Sequence, residues 1–342
     1  MSGPPPAVAA VRGAVRPGLR ASAQPVLVAV SGGADSLALA AAVAFEAPRA
    51  GVPAGAVTVD HGLQPGSAAR AAATAELVRG LGLDPVVVLP ADVRPGGGPE
   101  AAARTARYAV LDGAAAAHGA RVALGHTLDD QAETVLLGLG RGSGPRSLAG
   151  MVAHRPPYWR PLLAVRRSAT REACDALGLP VWDDPWNTDP ALRRARLRAE
   201  VLPLLEDVLG GGVAGALART ADLLREDLDV LDALADAERA RLPREGGLPA
   251  AELAALPAAL RRRVLRGWLR EAGVPDLAAV HLAAVDALLT GWRGQGPVTL
   301  PGGAEALRTS GRLVLRPAGC RGATARPAAD PRPVPQPEEQ HP

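Results

Sequence analysis

Six consecutive residues could bind an anion where the first predicted strand meets a helix. A β-branched run over residues 26–30 ends directly in Ser31-Gly32-Gly33-Ala34-Asp35-Ser36, and a helical segment begins at Leu37. A strand, a Gly-Gly turn and a helix start together place free backbone N–H groups and the positive end of a helix dipole around one anion. This geometry suits a pyrophosphate group, to which the two serines could add hydroxyl donors.

Asp35 is the informative member of this loop. A carboxylate beside phosphate needs a divalent cation between the two, so Asp35 is predicted to be a catalytic residue and a magnesium ligand. In an alternative interpretation the loop is an ordinary turn whose Asp35 or Ser36 caps the following helix. That alternative explains a capping residue, but it does not explain two serines, two glycines and an acid in one turn. We therefore predict a nucleotide-binding loop that uses residues 31–36.

A second polar cluster follows the fourth predicted strand, in the sequence Gly125-His126-Thr127-Leu128-Asp129-Asp130-Gln131-Ala132-Glu133-Thr134. Asp129 and Glu133 are four residues apart, so their carboxylates share one face of the predicted helix, with Asp130 adjacent. Any one of these acids could instead complement the helix dipole. Together with His126, the three acids predict a catalytic pocket for an amine or a magnesium ion.

Asp60 and His61 are candidate nucleotide contacts at the end of the second predicted strand. They stand in the sequence Val59-Asp60-His61-Gly62-Leu63. In open α/β sheets ligands bind at the carboxyl ends of the strands, which would bring this segment beside the loop. Taken alone, both residues fit an ordinary turn equally well.

Strands and helices alternate through the first half of the chain. Short apolar runs precede longer Ala-rich segments four times, with the runs at residues 26–30, 56–59, 86–89 and 121–124. Short strands separated by helices of ten or more residues indicate an α/β fold, in which a parallel sheet is covered by helices on both faces. We assign this domain to residues 21–200.

The strand pattern stops after about residue 190, and long Leu-, Ala- and Arg-rich segments follow. They predict a smaller, mainly helical second domain over residues 201–316, closed by a hairpin between residues 298–300 and 313–315. Residues 317–342 are Pro-rich and carry no hydrophobic periodicity. This tail and residues 1–20 are predicted to be disordered.

Composition removes several classes of protein. All 38 basic residues are arginines, since the chain contains no lysine. A Walker-type phosphate loop and a pyridoxal enzyme both need a lysine, so both are excluded. Cys174 and Cys320 are the only cysteines, and their separation predicts neither a zinc site nor a disulfide scaffold. No early apolar stretch is long enough for a signal sequence, so we expect a soluble, cytoplasmic protein with no membrane contact.

The loop sequence S-G-G-x-D-S resembles the pyrophosphatase loop of the N-type ATP pyrophosphatases. Members of this family have a Rossmann-like sheet and cleave ATP to AMP and pyrophosphate. The resemblance implies adenylyl transfer to a carbonyl group, after which a nucleophile displaces AMP. It indicates the type of reaction but not the substrate.

Further motifs resemble those of the tRNA(Ile)-lysidine synthetase family. Residues 126–134 resemble its H-x-x-D-D-Q-x-E-T signature, and residues 100–108 resemble its E-x-x-A-R-x-x-R-Y helix, in which Arg104 and Arg107 share a face. Later matches are Arg141-Gly142-Ser143-Gly144, Arg160-Pro161-Leu162-Leu163 and Asp184-Pro185-Trp186-Asn187, followed by Arg194 and Arg198. The chain departs from the family pattern at Trp186, Leu192 and Ala195.

This resemblance implies ATP-dependent ligation of free lysine to C2 of the wobble cytidine in isoleucine tRNA with the anticodon CAU. ATP would adenylate the cytidine and release pyrophosphate, and the lysine ε-amine would then expel AMP. The implied ATP and Mg²⁺ contacts are residues 31–36, Asp60 and His61, and the implied lysine contacts are Asp129, Asp130 and Glu133. Implied phosphate or tRNA contacts are Arg104, Arg107, Arg141, Asn187, Arg194 and Arg198. His126 and the three acids are all candidates for the general base.

Two other functions fit the same residues. Another enzyme of the pyrophosphatase family, such as a tRNA thiolase or an amide synthetase, would share the loop, although a thiolase would also need cysteines or an iron–sulfur cluster near it. A non-catalytic RNA-binding protein could retain the nucleotide fold. It would have no reason to keep Asp35, Ser36 and the three acids in place. The sequence leaves the oligomeric state open.

Overall fold

Short apolar runs form a six-stranded sheet in the first of two compact units, Met1–Leu228. The computed structural model describes residues 3–93, 99–142, 144–243 and 245–318, and of residues 99–101 it describes the backbone only. The strands are β1 (Val26–Ala29), β2 (Ala54–Asp60), β3 (Val86–Pro90), β4 (Arg121–Ala123), β5 (His154–Arg155) and β6 (Tyr158–Trp159). Their order is β3-β2-β1-β4-β6-β5, and every described pair runs parallel except β5–β6.

Helices cover both faces of this sheet. The helices that begin in this unit are α1 (Pro6–Arg20), α2 (Ala34–Glu46), α3 (Ser67–Gly80), α4 (Pro99–His118), α5 (Leu128–Gly140), α6 (Pro145–Leu148), α7 (Arg167–Ala176), α8 (Arg193–Arg196), α9 (Leu202–Val208) and α10 (Val213–Arg241), the last of which continues past Leu228. Neighbouring residues of β1 point to opposite faces. Val26 and Val28 join a core with α1, α2 and α7, whereas Leu27 joins a second core with α4. The predicted α/β fold is confirmed.

The register of the strands brings three strand ends together. Val28 of β1 lies opposite Ala56 of β2 and Ala123 of β4. The segments that follow these strands therefore leave the sheet at the same edge, and they carry the loop, Asp60 with His61, and the acids of α5.

The prediction that residues 1–20 are disordered is wrong. Residues 6–20 form α1, which packs on α2 and α7. Its apolar side chains recur every three or four residues and are at most 3% exposed: Val8, Val11, Val15 and Leu19. This spacing is that of one helical face. The surrounding Pro, Gly and Ala residues concealed the pattern in the sequence.

Replacing Leu19 with alanine is expected to destabilise the first unit by about 3 kcal/mol, because a fully buried leucine would leave a cavity against α2. Leu19 is 1% exposed and belongs to the main core. Urea unfolding followed by circular dichroism would measure the change. Arg20→Ala, at the exposed neighbouring position, is the control and should change stability by less than about 0.5 kcal/mol. A loss below about 1 kcal/mol for Leu19→Ala would show that α1 is not an integral part of the fold.

The second unit, Asp229–Pro342, combines helices with a small sheet. Its elements are α11 (Ala250–Ala255), α12 (Ala258–Glu271), α13 (Ala279–Thr290), β7 (Leu248–Pro249), β8 (Val298–Thr299), β9 (Glu305–Thr309) and β10 (Arg312–Arg316). The strand order is β7-β10-β9-β8, with antiparallel pairs throughout the described sheet. Its core is built largely from leucines, including Leu248, Leu265 and Leu313.

The division between the units differs from the predicted boundary after residue 200. That boundary falls inside a π-helical turn, Leu197–Val201, whereas the contacts divide the chain between Leu228 and Asp229. The reason is that the helices after residue 200 continue to pack on the first unit. Ala214 of α10 and Leu202 of α9 share a buried cluster with Ala132 of α5.

The predicted hairpin has the wrong partner. β8 does not pair with β10, because β9 lies between them and pairs with both. The hairpin is formed by β9 and β10 around Ser310 and Gly311, which have φ values of +46° and +73°. Positive φ at both central residues is what a tight hairpin turn requires.

The predicted disordered tail over residues 317–342 lies outside the described residues from residue 319 onward. Within the described part of the chain, no single helix has the length and apolar composition needed to cross a membrane. One helix pair, 193–208 with 213–241, passes that test when its members are taken together, and it is bent by 93°.

Candidate active site

Residues 31–36 form a tight turn between β1 and α2. The Ser36 hydroxyl ties the turn together: it accepts a hydrogen bond from the Ser31 N–H (3.1 Å) and donates one to the Gly33 carbonyl (2.9 Å). Gly32 has a φ of +86°, and a Cβ there would lie 3.0 Å from Thr74 Oγ1. The turn therefore requires glycine at this position. The first turn of α2 follows directly and supplies backbone N–H groups without helical partners, which is the arrangement that binds phosphate.

The segment after α7 holds this turn from outside. The Trp182 N–H donates to the Gly32 carbonyl (3.0 Å). The guanidinium of Arg70, from α3, lies 4.6 Å from the centre of the Trp182 ring. These contacts fix the backbone of the turn before any ligand arrives, which favours a preformed anion site.

Close packing joins the turn to the segment after β4. A Cβ on Gly125 would lie 2.9 Å from the Asp35 carbonyl oxygen and 3.1 Å from the Ser36 nitrogen. Contacts this short exclude a side chain, so glycine lets the two backbones touch. His126 and the start of α5 are consequently held beside the nucleotide loop.

Asp35 is largely enclosed by groups from α7. The Thr170 hydroxyl donates a short hydrogen bond to Asp35 Oδ1, and Arg167 Nε lies 3.6 Å from Asp35 Oδ2. Burial raises the pKa of Asp35, the Thr170 hydrogen bond opposes that rise, and the nearby Asp130 charge adds to it. Burial thus disfavours the charged form of Asp35, and a cation bound beside it would offset that penalty.

Asp130 has a capping role as well as a place in the site. Thr127 and Asp130 form a capping box at the start of α5, in which the Thr127 N–H donates to Asp130 Oδ2 at 2.8 Å. Burial opposes ionisation of Asp130, but the charge of Arg167 and the Thr127 hydrogen bond outweigh it and hold its pKa below the ordinary value. The helix-start explanation of this acid is thus correct but incomplete.

Asp129 and Glu133 are also bound by basic groups. Asp129 Oδ2 accepts from the Arg167 N–H (2.7 Å), and its other oxygen lies 3.1 Å from Arg166 Nη2. Glu133 Oε1 lies 3.1 Å from Arg167 Nη2 and 3.0 Å from Arg198 Nε, and the Glu133 side chain is fully buried. Glu133 was predicted to contact the amine and Arg198 to contact phosphate or tRNA, and in the structure the two side chains pair with each other. A buried carboxylate needs such partners, and Arg198 supplies one of them.

Arg167 and Thr170 are the functional residues that sequence reasoning missed. Both lie in the first turn of α7, directly after the segment that matched the family at residues 160–163. The available signal was their position, since residues three apart at a helix start face the same way. No pattern in the sequence indicated that this helix end would meet α2 and α5.

The charges of Arg160, Arg107 and Arg104 all act on His126, and such a group of arginines suits an anionic ligand. Burial and the charge of Arg107 lower the pKa of His61. The pKa of Arg107 is itself lowered, mainly by burial and also by the neighbouring charge of Arg104. The Nδ1 atoms of His61 and His126 are buried without a hydrogen-bond partner in the described structure. Among the side chains that the structure describes, no carboxylate forms an ion pair with Arg104 or Arg107, and Arg104 stacks on Tyr108 instead.

His126 is expected to stay neutral throughout the working pH range. Burial lowers its pKa to about 3; the Asp130 charge opposes this shift and Arg160 reinforces it. NMR of the imidazole nitrogens should show a neutral ring from pH 8 to about pH 4, because only below that would it take up a proton. The unfolded chain binds this proton near pH 6.5, so His126 makes the free energy of unfolding decrease as pH falls from 6.5 toward 3. A His126 titration near pH 6 would contradict this assignment.

Four predicted residues stand apart from these contacts. Asp60 accepts a hydrogen bond from the Gly62 N–H (3.0 Å), as the turn interpretation requires, although it stays at the same edge of the sheet. Asn187 lies in an exposed 3₁₀ turn, Pro185–Thr188. The Arg194 side chain is partly exposed and forms no ion pair with another described residue. Arg141 follows the far end of α5, about 18 Å along the helix from Asp129.

The sheet, the turn and the facing acids define the first unit as a PP-loop domain of the ATP pyrophosphatase type. A family model described as PP-loop domain matches residues 10–205, and one described as TilS substrate binding domain matches residues 248–314. The U34-tRNA thiolase NcsA from Methanococcus maripaludis superposes with a TM-score of 0.54 and 18% identity, over 64% of this chain and 80% of that one. At this identity the likeness concerns the fold alone.

Relatives of higher sequence identity show to which family of PP-loop proteins the chain belongs. The tRNA(Ile)-lysidine synthase of Streptomyces coelicolor is 55% identical, over 92% of this chain and 99% of that protein. The one from Thermobifida fusca is 55% identical over the same shares, and the one from Salinispora tropica is 56% identical over 90% and 96%. The chain belongs to the tRNA(Ile)-lysidine synthase family, and the predicted resemblance is confirmed.

Proposed function

We propose that this protein is the ligase that joins free lysine to the wobble cytidine of isoleucine tRNA with the anticodon CAU, using ATP in the cytoplasm and forming lysidine. Besides family membership, one structural observation supports this proposal. The loop carboxylate Asp35 and the α5 carboxylates Asp130 and Glu133 converge on one guanidinium beside a turn built for phosphate. Activation by ATP and recognition of an amine can therefore take place in one site.

In the first step the cytidine O2 atom attacks the α-phosphorus of ATP, and pyrophosphate leaves. Residues 31–36 bind the leaving pyrophosphate through backbone N–H groups and serine hydroxyls. Arg104 and Arg107 lie near His126 and pair with no carboxylate among the described side chains, and they would hold the phosphate groups of ATP or tRNA. The target base must leave its stack to reach this site, as recognition of single-stranded RNA generally requires.

The donor groups of the site suit a Mg²⁺ ion that is held mainly by phosphate oxygens and water. The part of the chain that the structure describes contains no group of three or more His, Cys, Asp or Glu side chains placed to hold a metal ion. Mg²⁺ commonly takes one or two protein carboxylates and completes its shell with phosphate oxygens and water, and Asp35 fits that role. When bound there, the ion would neutralise charge on the triphosphate.

In the second step the lysine ε-amine attacks C2 of the adenylated cytidine, and AMP leaves with the former O2 atom. Asp129 and Asp130 keep 15% and 12% of their side-chain surface exposed, whereas Glu133 keeps none. We therefore assign recognition of the ammonium group to Asp129 and Asp130. His126, with a pKa of about 3, and Asp130, with a lowered pKa, are both weak bases, so the proton of the amine is not assigned to a single acceptor among His126 and the three acids.

The described thiol weighs against the thiolase alternative. Cys174 is buried, and its Sγ donates to the Ala34 carbonyl (3.3 Å). Burial and the neighbouring Asp175 charge raise its pKa to about 11, so it is not a thiolate at neutral pH.

Mass spectrometry of nucleosides tests the proposal. CAU-anticodon isoleucine tRNA is incubated with the protein, Mg²⁺, ATP and lysine, and then digested. A cytidine heavier by one lysine less one water, formed only with ATP, is the expected product. Unmodified cytidine together with AMP and pyrophosphate would support the nucleotide site and contradict the substrate.

A further inference from the structure

One residue touches all four carboxylates of the site. The Arg167 guanidinium reaches Asp35 through Nε (3.6 Å), and it reaches Asp130 (2.7 Å) and Glu133 (3.1 Å) through Nη2. Its backbone N–H donates to Asp129 at 2.7 Å. The side chain is 24% exposed, so these are contacts made within the site rather than on an open surface. The nucleotide loop and the amine-binding acids are thereby linked through a single planar cation.

We propose that Arg167 is a positioning residue that couples the two halves of the reaction. It holds Asp35 in the geometry needed for adenylation and holds Asp130 in the geometry needed for amine transfer, without touching the reacting atoms. A guanidinium suits this task because its donors lie in one rigid plane and can bridge several carboxylates, which the point charge of an ammonium cannot do equally well. The inference rests on the proposed lysidine-forming function.

Charge balance explains why Arg167 aligns the site instead of blocking it. Three guanidiniums, of Arg166, Arg167 and Arg198, face four carboxylates, of Asp35, Asp129, Asp130 and Glu133. Because Arg166 also lies 3.8 Å from Glu206 Oε1, the carboxylates outnumber the guanidiniums and leave negative charge for an incoming cation such as lysine. Removal of Arg167 would leave two guanidiniums against four carboxylates. Attraction for the lysine cation would persist, while the alignment of the acids would be lost.

This reasoning predicts a separation of kcat from KM in Arg167→Met. The kcat for lysidine formation should fall about 100-fold, whereas the KM for lysine should stay within about threefold of the wild-type value. Arg167→Lys restores one cation but not the planar bridge, so its kcat should lie between the two, about tenfold below wild type. Single-turnover measurements should show both AMP release from ATP and lysine transfer to be slower.

Arg171→Met is the matched control. Arg171 lies one turn further along α7 and is bound to the exposed Asp183 by two hydrogen bonds, away from the four acids. The same substitution there should leave kcat and KM within about twofold. Thermal unfolding of all variants identifies any that are not folded. If Arg167→Met does not fold, the kcat of Arg167→Lys tests the positioning role instead.

The outcomes separate this inference from the proposed function. Absence of lysidine with the wild-type protein would overturn the proposed function itself. Wild-type turnover combined with full kcat in Arg167→Met, or in a folded Arg167→Lys if Met does not fold, would overturn the coupling role alone. An increase in the KM for lysine and tRNA together, with unchanged kcat, would also overturn it, because that is the result of a general loosening of the site.

Discussion

Replacing Asp35 with asparagine is expected to lower the rate of AMP and pyrophosphate formation about 1,000-fold. Asparagine keeps the shape of the side chain and can still accept the Thr170 hydrogen bond. It removes the negative charge that lies between the phosphate-binding turn and Arg167. Burial raises the pKa of this carboxylate, and a cation that accompanies ATP would stabilise its charged form; in the asparagine variant that cation would lose its protein ligand.

The measurement is release of pyrophosphate from ATP in the presence of tRNA. Asp183→Asn is the control, because Asp183 is an exposed carboxylate that pairs with Arg171 of α7. It should retain full activity. If Asp35→Asn kept its rate within about fivefold, Asp35 would be a helix-start residue and no more, and the non-catalytic alternative would regain support.

Replacing Glu133 with glutamine should affect stability and activity together. Glu133 is fully buried and binds both Arg167 and Arg198, and a neutral amide would leave these guanidiniums facing another N–H donor. Breaking a buried ion pair on one side costs about 3 kcal/mol. We expect the free energy of unfolding to fall by about 2 to 3 kcal/mol, since Arg167 keeps Asp130, and lysidine formation to fall about 100-fold.

Urea unfolding and the nucleoside assay measure these two effects. Glu200→Gln provides the comparison, because Glu200 is exposed and pairs with Arg196 one turn away on the helix surface. Surface ion pairs of this kind contribute little to stability, so the free energy of unfolding of this variant should lie within about 0.5 kcal/mol of the wild-type value. A Glu133→Gln protein of wild-type stability would mean that the buried pairs do not hold α5 against α7 and the π-helical turn Leu197–Val201.

Patterns local in sequence predicted the catalytic unit well. The alternation of apolar runs and helical segments indicated the parallel sheet because its central strands, β1 and β4, are buried on both faces. The loop at residues 31–36 was identifiable because six consecutive residues carry its whole geometry. In the same way, Asp129, Asp130 and Glu133 share one helix turn, so their proximity follows from the helical repeat.

Features that depend on long-range packing were not predictable. Arg167 and Thr170 reach Asp35 across more than a hundred residues of sequence, and nothing in their own segment specifies that neighbour. The burial of Glu133 depends in the same way on Arg198. The core helix α1 was missed for a different reason. Its four buried side chains are spaced as in a helix, but prolines, glycines and alanines around them resemble a tail.

The contact between Trp182 and the nucleotide loop gives the protein an optical signal of its own. The backbone N–H of Trp182 donates to the Gly32 carbonyl, and the indole ring of Trp182 lies under the Arg70 guanidinium. Phosphate that binds to this turn changes the charge and solvent around the ring, and indole emission responds to both. ATP binding can therefore be followed by intrinsic fluorescence without a label, with the change assigned by its loss in Trp182→Phe. The chain contains four other tryptophans, whose emission the Trp182→Phe variant measures as the background.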